Sequence, residues 1–575
     1  MFTINSQRIR ELWRLYFPEG FWHELKALSR LAVPIMITSL VEYLTAPISL
    51  FFCGRLGKTE LAAAGLAISL FHTAGLSFIM GLLTAAETLF SQTYGGKNKF
   101  RLGIQVQRSF VITALLCLPC WAVHVIIEPI LLATNQPPLI AKYTSLYILG
   151  LMPGLLFFAI FEILTKYIQT QNKVLPPMIA GVFGNAVNAI CHYAFIYHSD
   201  VKFIGSALSQ SICYFCQAGF VLIYILFSKI YKHTWDGLHV EMWHDWCVWF
   251  RLGFPGVIMV GLEWWVCEAG SLTAGLRGEE ALAIQTILNN VESIVFCTFP
   301  MGYGIAVAIR TGRFVGANDP IRPRATAFVG IIFLAFVASV NSLVLIILRY
   351  YVARIFTTDV NIIKGAAYGM PFMVAYLFFD CFVGVCSGII RGVGMQKFGA
   401  IVCCVSLYLI GGPLALCLLL LTDLVVNGFW LGMAIGVFIE TFVYTIQCCR
   451  IDWKKMCLDA QKRTAIKFVG PHKDKIPGLR EENEIEISLS EPGEVSNELP
   501  ETAQAQEKSC TPMTLITPFT MILIVVSLLL VALCCRLLFD WPMIFPNHCL
   551  LNNGTLIPLI NRTDASNYEC TVLIP

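Results

Sequence analysis

The chain has 575 residues, 57% of them apolar and only 13% charged, and its mean hydropathy is +0.70. A soluble domain carries about 25% charged residues, and disorder needs low hydrophobicity with high charge, so both classes are excluded. A net charge of +3 leaves no basic footprint for nucleic acid. What remains is a polytopic membrane protein, all-α because a helix satisfies its own backbone in lipid.

The first 30 residues are polar and mixed in charge, without the pattern of a cleavable signal, and read as a cytoplasmic N-terminus (1–30). A helix needs about 20 apolar residues to cross the hydrocarbon core. Runs of that kind fall near 31–53, 62–90, 109–130, 144–165, 175–198 and 203–228, giving an N-terminal lobe of six spans over 31–228. A polar loop comes next (229–249). Six more runs, near 250–274, 281–308, 326–348, 368–390, 398–422 and 428–449, give a C-terminal lobe over 250–449. Residues 450–513 start basic and turn acidic with Pro and Ser, the composition of a flexible linker. An isolated thirteenth run lies at 514–535, and 536–575 form a polar tail.

Orientation is set by the distribution of Lys and Arg. Up to residue 449 the N-terminus and even-numbered loops hold 20 of them and the odd-numbered loops 8, so the N-terminus is expected in the cytoplasm and the tail outside, with the plasma membrane as location. Two sequons in the tail, at Asn553 and Asn561, fit that side, where glycosylation occurs. Most of the 22 cysteines sit inside apolar runs without metal-ligand spacing and read as small buried hydrophobes. Cys549 and Cys570 lie in the tail and could form a disulfide there.

Shifted by 221 positions, the halves align. Pro34 meets Pro255, Glu42 meets Glu263, Gly54 and Gly57 meet Gly275 and Gly278, Met80-Gly81 meets Met301-Gly302, and Gly95 meets Gly316. Membrane composition inflates matches of Leu and Ala, but not of Pro, Gly and Glu at one offset. Each repeat holds six spans, so the halves share one topology and are related by an axis along the membrane normal, an arrangement that places substrate at the repeat interface near midplane. Two six-helix bundles around a cleft are the architecture of a transporter working by alternating access.

Ionisable groups at bilayer depth are costly and are functional candidates by default. Those well inside spans are Glu42 (span 1), Glu263 and Glu268 (span 7), Glu292 (span 8), Asp380 (span 10) and Glu440 (span 12); Glu87 and Glu162 lie near span ends, the latter beside Lys166. Glu263 and Glu268 are five positions apart, about 140° on a helix, and can line one broad face of a cavity. A carboxyl removed from water can take up a proton near neutral pH, whereas a neighbouring cation favours its charged form. Proton and cationic substrate then compete for one group. Trp264, Trp265 and Tyr303 can offer flat faces to an organic cation, although Trp in membrane helices more often anchors or packs. The sequence leaves open whether Glu440 faces solvent, substrate or a neighbouring helix.

Four motifs together resemble the multidrug and toxin extrusion family, especially its animal proton/organic-cation antiporters. They are Phe52-Cys53-Gly54-Arg55-Leu56-Gly57, Glu87-Thr88-Leu89 with Ser91-Gln92-Thr93-Tyr94-Gly95, Glu263-Trp264-Trp265 with Glu268, and Ile390-Arg391-Gly392-Val393-Gly394-Met395-Gln396. The resemblance spans about 28–456, and the thirteenth span is similar to that of the animal members. It implies a V-shaped pair of six-helix lobes in which acids of the C-terminal lobe carry protons and contact cationic substrates. Glu263 and Glu268 match the span 7 acids. Asp380, eleven residues before Arg391, matches the span 10 acid but is Asp where close animal relatives are expected to carry Glu. In span 8 one extra residue between Gln285 and Pro300 puts the family's acid on Asn290 or Val291, just before Glu292, and a π-bulge could restore the register. In span 5, His192 follows Asn188 where bacterial relatives keep an acid; such a His more often makes hydrogen bonds than relays protons.

The expected function is export of small organic cations in exchange for protons by a membrane-embedded monomer. No ATP-binding GxxxxGK[ST] motif, cofactor motif or metal spacing is found, and none is expected to be needed. Sodium coupling, or an organic anion or lipid-linked substrate, would keep the fold. A membrane-embedded enzyme is disfavoured because the ten His form no HxxxH or HExxH pattern. Both six-span repeats are complete without the thirteenth span, so a chain ending at 456 is expected to keep transport.

Overall fold

A computed structural model describes residues 20–134, 136–199, 201–464, 516–538, 547–551, 556–559 and 570–574. Thirteen of the described helices are long and apolar enough to cross a membrane, each at the place the hydropathy pattern predicts. Most outrun their apolar stretches. Span 2 covers Lys58–Gly95, span 8 Glu279–Gly316, span 9 Arg322–Phe356 and span 10 Val360–Val393. Span 10 continues into polar ends because capping groups wait there. Asp359 accepts from the backbone N–H groups of Asn361 and Ile362 to start span 10, satisfying donors that the first turn leaves free. Span 10 stops at Gly394, whose φ of +84° favours a residue without Cβ.

The halves form two hydrophobic cores, but the cores exchange the starts of their first helices. Leu28, Leu31, Ala32 and Ile35 from the start of span 1 (Phe21–Cys53) pack into the core of the C-terminal lobe. Trp246, Trp249 and Leu252 from the start of span 7 (Trp246–Gly275) pack into the core of the N-terminal lobe. Leu31 and Leu252 are mates in the 221-residue repeat, so the exchange is reciprocal. The same symmetry governs the surface where the lobes meet. Gly81 lies against the backbone of Val257 and Gly302 against that of Met36; Gly95 lies against Arg313 and Gly316 against Gln92, with no room for a Cβ at any of the four. Residues 81 and 302, 36 and 257, 92 and 313, and 95 and 316 are all repeat mates. Small residues let membrane helices approach at backbone distance, which explains why glycines at this one offset stand out in the sequence.

Polar contacts reinforce this end of the cleft. Thr88 donates to the Arg391 carbonyl at 2.6 Å, Gln92 to the Gly392 carbonyl at 2.8 Å, and Gln396 to the Thr88 hydroxyl at 2.6 Å. Arg310 grips both oxygens of Glu24 at 2.5 and 2.6 Å, tying span 1 to span 8.

Two segments refine the expected domain plan. The linker does not begin at 450: Trp453–Thr464 is a helix that buries Trp453, Cys457 and Ala460 against spans 2 and 8. Its Arg463 donates to the carbonyls of Val393 and Gly394 at 2.8 and 3.2 Å, where span 10 leaves acceptors unpaired. The rest of the expected linker and most of the expected N-terminal segment lie outside the described residues. The thirteenth helix, Ile516–Leu538, packs mainly on span 3 (Arg101–Val125). Its Arg536 donates to the Val125 carbonyl at 2.6 Å and Ser145 at 3.0 Å, with Glu128 at 3.6 Å. Beyond it, the otherwise helical chain forms a small antiparallel sheet of β1 (Asn547–Leu551), β2 (Leu556–Leu559) and β3 (Cys570–Ile574) in the order β2-β1-β3. Its register sets Cys549 opposite Leu573 and Cys570 opposite Leu551. Asn553 and Asn561 lie outside the described residues.

Candidate functional site

Beyond the close interlobe contact lies a cavity of about 210 Å³ between the lobes. Glu42, Glu263, Glu268, Glu292 and Asp380 all line it. These are five of the six acids that the sequence places well inside spans; the sixth, Glu440, is outside the lining. Spans 1, 7, 8 and 10 thus converge their carboxylates on one space. No Lys or Arg is among the described lining residues, and His72 is the one basic type there. Asp380 is 3% exposed and Glu292 6%. One oxygen of Asp380 has no hydrogen-bond partner, while Glu292 accepts from Ser293 at 3.1 Å. An acidic chamber of this kind holds uncompensated negative charge, which favours a cation or a proton as occupant.

The span 8 register resolves at Glu292 itself, which reaches the cavity although the family pattern points to Asn290 or Val291. Asn290 instead accepts from the Tyr43 hydroxyl at 3.3 Å. A π turn at Cys297–Met301 lies just after Glu292. Span 2 carries a π turn as well, at His72–Leu76.

The aromatic surface differs in part from the expected one. Trp264 lines the cavity, with its ring 6.5 Å from His72. Trp265, one position on, is rotated 100° away; its indole N–H donates to the Thr73 carbonyl of the opposite lobe at 3.1 Å and its ring meets Phe78 at 5.5 Å. Tyr303 is also outside the lining: it is 1% exposed and packs on Phe333 at 5.3 Å. In their place Tyr43, Phe158, Tyr214, Phe296 and Tyr376 face the cavity. Tyr376 could have been found from its spacing, since it stands one turn before Asp380 on the same face. Tyr214 and Phe158 carry no such signal.

Glu263 stands at a junction. It also lines a smaller pocket of about 50 Å³ that extends toward the close interlobe contact, with Thr84, Glu87, Ser387 and Arg391. A buried ion network lies there. Lys166 donates to Glu87 at 2.8 Å and meets Glu162 at 3.4 Å, and Arg391 meets Glu87 at 3.5 Å across the lobe boundary. Glu162 is therefore the paired residue its neighbour Lys166 suggested. His192 lies away from the cavity in a hydrogen-bonded cluster, 2.8 Å from both the Asn188 carbonyl and the Ser206 hydroxyl. Glu440 is buried behind Glu263, and the carboxylates of these two with the Cys403 thiol lie within 4.8 Å of one another.

Two pseudo-symmetric six-helix lobes around a central chamber with buried charge are the architecture of a membrane transporter. The family model described as MatE matches twice, over 34–194 and 255–417, and its second start is 221 residues after its first. The chain is 33% identical over 493 residues to Multidrug and toxin extrusion protein 1 of Danio rerio, covering 85% of this chain and 83% of the relative. It is 35% identical over 448 residues to the Homo sapiens protein of that name, covering 78% of each. The crystal structure of the eukaryotic MATE transporter AtDTX14 superposes with a TM-score of 0.75 at 23% identity, over 78% of this chain and all of that one. An outward-facing multidrug resistance MATE transporter superposes at 0.66, with 18% identity, over 76% of this chain and 97% of that one. The chain belongs to the multidrug and toxin extrusion (MATE) family of transporters.

Proposed function

We propose that this protein is a secondary antiporter that exports small organic cations in exchange for protons, with the interlobe cavity exposed alternately to each side. The observation that carries the reading is five carboxylates and no Lys or Arg around one chamber. An organic cation gains from those charges and from the faces of Trp264, Tyr376 and Phe296. A proton cancels the same charges, so the two ligands exclude each other. Glu263, Glu268, Glu292 and Asp380 are the proton- and cation-binding groups, with Glu42 as the contribution of the N-terminal lobe. The names of the relatives, multidrug and toxin extrusion proteins, favour a broad range of substrates.

The distribution of Lys and Arg supports a plasma-membrane protein with a cytoplasmic N-terminus. The close interlobe contact then faces the cytoplasm and the cavity lies on its outer side, with Asn553 and Asn561 as extracellular glycosylation sites. Two complete repeats in one chain support a monomer as the working unit.

The test is transport in liposomes of the purified full chain, with radiolabelled tetraethylammonium and an imposed pH or sodium gradient. Tetraethylammonium should move against an inward proton gradient and ignore sodium. Glu263→Gln should lower the rate at least about tenfold, the scale of one lost contact to a charged group. Movement driven by sodium alone, or an unimpaired Glu263→Gln, would reject the assignment.

A further inference from the structure

We propose that Glu440 and Glu263 form a proton-sharing pair behind the cation cavity, so that Glu440 is a proton site that the organic cation never touches. The inference rests on the proton-coupled reading above and adds a residue to it. Glu440 lies on span 12 (Val426–Cys449), 1% exposed, and lines neither interlobe chamber. Ser406 donates to one of its oxygens at 3.0 Å, and the other has no partner. A carboxylate oxygen of Glu440, the Cys403 thiol and a carboxylate oxygen of Glu263 approach within 4.8 Å of one another. A buried carboxylate held for structure alone would be given a cation or a full set of hydrogen bonds. Glu440 has neither among the described residues.

The surroundings leave a proton as the fitting ligand. Span 7 presents Glu263, span 10 presents Asp380, and span 11 presents Cys403 and Cys404; Tyr444, one turn along span 12, has its hydroxyl beside the Glu440 carboxylate but donates to the Gly399 carbonyl at 2.9 Å. Span 8 and the close interlobe contact act through Glu263, on which Glu292 and Arg391 bear. Two carboxylates within 4.8 Å repel when both are charged, and a proton taken up by one lets the pair close the remaining distance into an O–H···O hydrogen bond. The proton arrives from cavity water on a Glu263 oxygen and leaves by the same route; no other bond changes. While it is shared, Glu263 is engaged with Glu440 and withdrawn from the cation. When it leaves, the charge of Glu263 is returned to the cavity. Glu440 therefore acts through Glu263 as a positioning residue for exchange.

The experiment compares wild type, Glu440→Gln and Glu268→Gln in liposomes with labelled tetraethylammonium. Glu440→Gln should lose about tenfold or more of the exchange driven by a pH gradient, the size of an ordinary coupling between sites. Its cation-for-cation counterflow at equal pH should stay within about twofold, because that exchange moves no proton. Glu268→Gln should lose counterflow. Ser406→Ala provides a milder variant should Glu440→Gln not fold: removing the donor to the charged carboxylate should move the pH midpoint of exchange upward by about half a unit. A wild-type pH response in Glu440→Gln, or an unmoved midpoint in folded Ser406→Ala, overturns the proposal. So does equal loss of counterflow in folded Glu440→Gln, and so does transport restored or abolished by a chelator, which would make the cluster a metal centre. A wild type indifferent to pH overturns the coupling reading together with this one.

Discussion

The two ends of the interlobe cleft obey different rules. At the close contact, repeat mates do the same work. Gly81 and Gly302 seat each other's partner helices, and Gly95 and Gly316 do so again one helix end further on. In the cavity the mates have diverged. At the repeat offset of 221, Glu263 corresponds to Glu42, but Glu268 corresponds to Pro47, Glu292 to Phe71 and Asp380 to Ala159. Packing follows the two-fold symmetry, while four of the five cavity carboxylates lie in one lobe. The reason is physical. Backbone contact across an axis constrains both copies equally, whereas a ligand needs one set of charges, and each further buried carboxylate adds cost.

That contrast predicts paired effects at one end and unpaired effects at the other. Gly95→Val and Gly316→Val should be equally damaging, since each adds a Cβ where the opposite backbone already lies. Overpacking of this kind costs about 1–3 kcal/mol, charged only to the state in which the lobes meet. A transporter must revisit that state in each cycle, so the exchange rate should fall by about five- to hundredfold. Neither glycine belongs to the two hydrophobic cores, so both variants should remain monodisperse on size-exclusion chromatography. Unequal losses from the two variants would break the symmetry argument.

The cavity should behave oppositely. Glu42→Gln and Glu263→Gln alter repeat mates that line the same chamber, yet their effects should differ. Glu263 joins both chambers and stands beside Glu440, while Glu42 has no second carboxylate of its own lobe in the lining. Glu42→Gln should change exchange by less than about threefold, the size of one weakened contact among several, and leave the pH profile in place. Initial rates of tetraethylammonium uptake over a pH series measure both. Matching collapse of the two variants would mean that the lobes share the chemistry as they share the packing.

Much of this is legible in the sequence alone. Thirteen spans can be counted from the length of hydrocarbon a helix must cross, and the repeat shows in Pro, Gly and Glu at one offset. The five cavity acids can be named because charge at that depth is rare. What the sequence does not carry is rotation and three-dimensional proximity. Trp264 and Trp265 are adjacent in the chain, but only one faces the chamber. Tyr303 sits in the right span on the wrong face. Glu440 becomes interpretable once spans 7, 11 and 12 bring Glu263, Cys403 and Ser406 to it, residues separated by up to 177 positions (263 to 440). The helix at Trp453–Thr464 reads as linker because its mean composition is polar; its buried face is only Trp453, Cys457 and Ala460.

The position of that helix also decides where the transport core ends. A chain stopped at 456 would remove most of it, including Arg463, which closes the carbonyl end of span 10 beside the close interlobe contact. A chain stopped at 464 keeps that contact and loses only the thirteenth helix and its flanking segments. The thirteenth helix binds the outer face of the N-terminal lobe through span 3 and Arg536, away from the carboxylates of the cavity. Leu523, Ile524, Leu530 and Val531 on its surface are exposed, as suits a helix with lipid on one side and a single protein neighbour on the other. Truncation after 464 should therefore leave exchange per folded molecule within about twofold, while Glu128 loses the Arg536 guanidinium at 3.6 Å, a partly exposed pair worth about 1 kcal/mol or less. Truncation after 456 should cost clearly more. Equal rates for the two truncations would place the core boundary before Trp453, and an equal, large loss would make the thirteenth helix part of the exchange cycle.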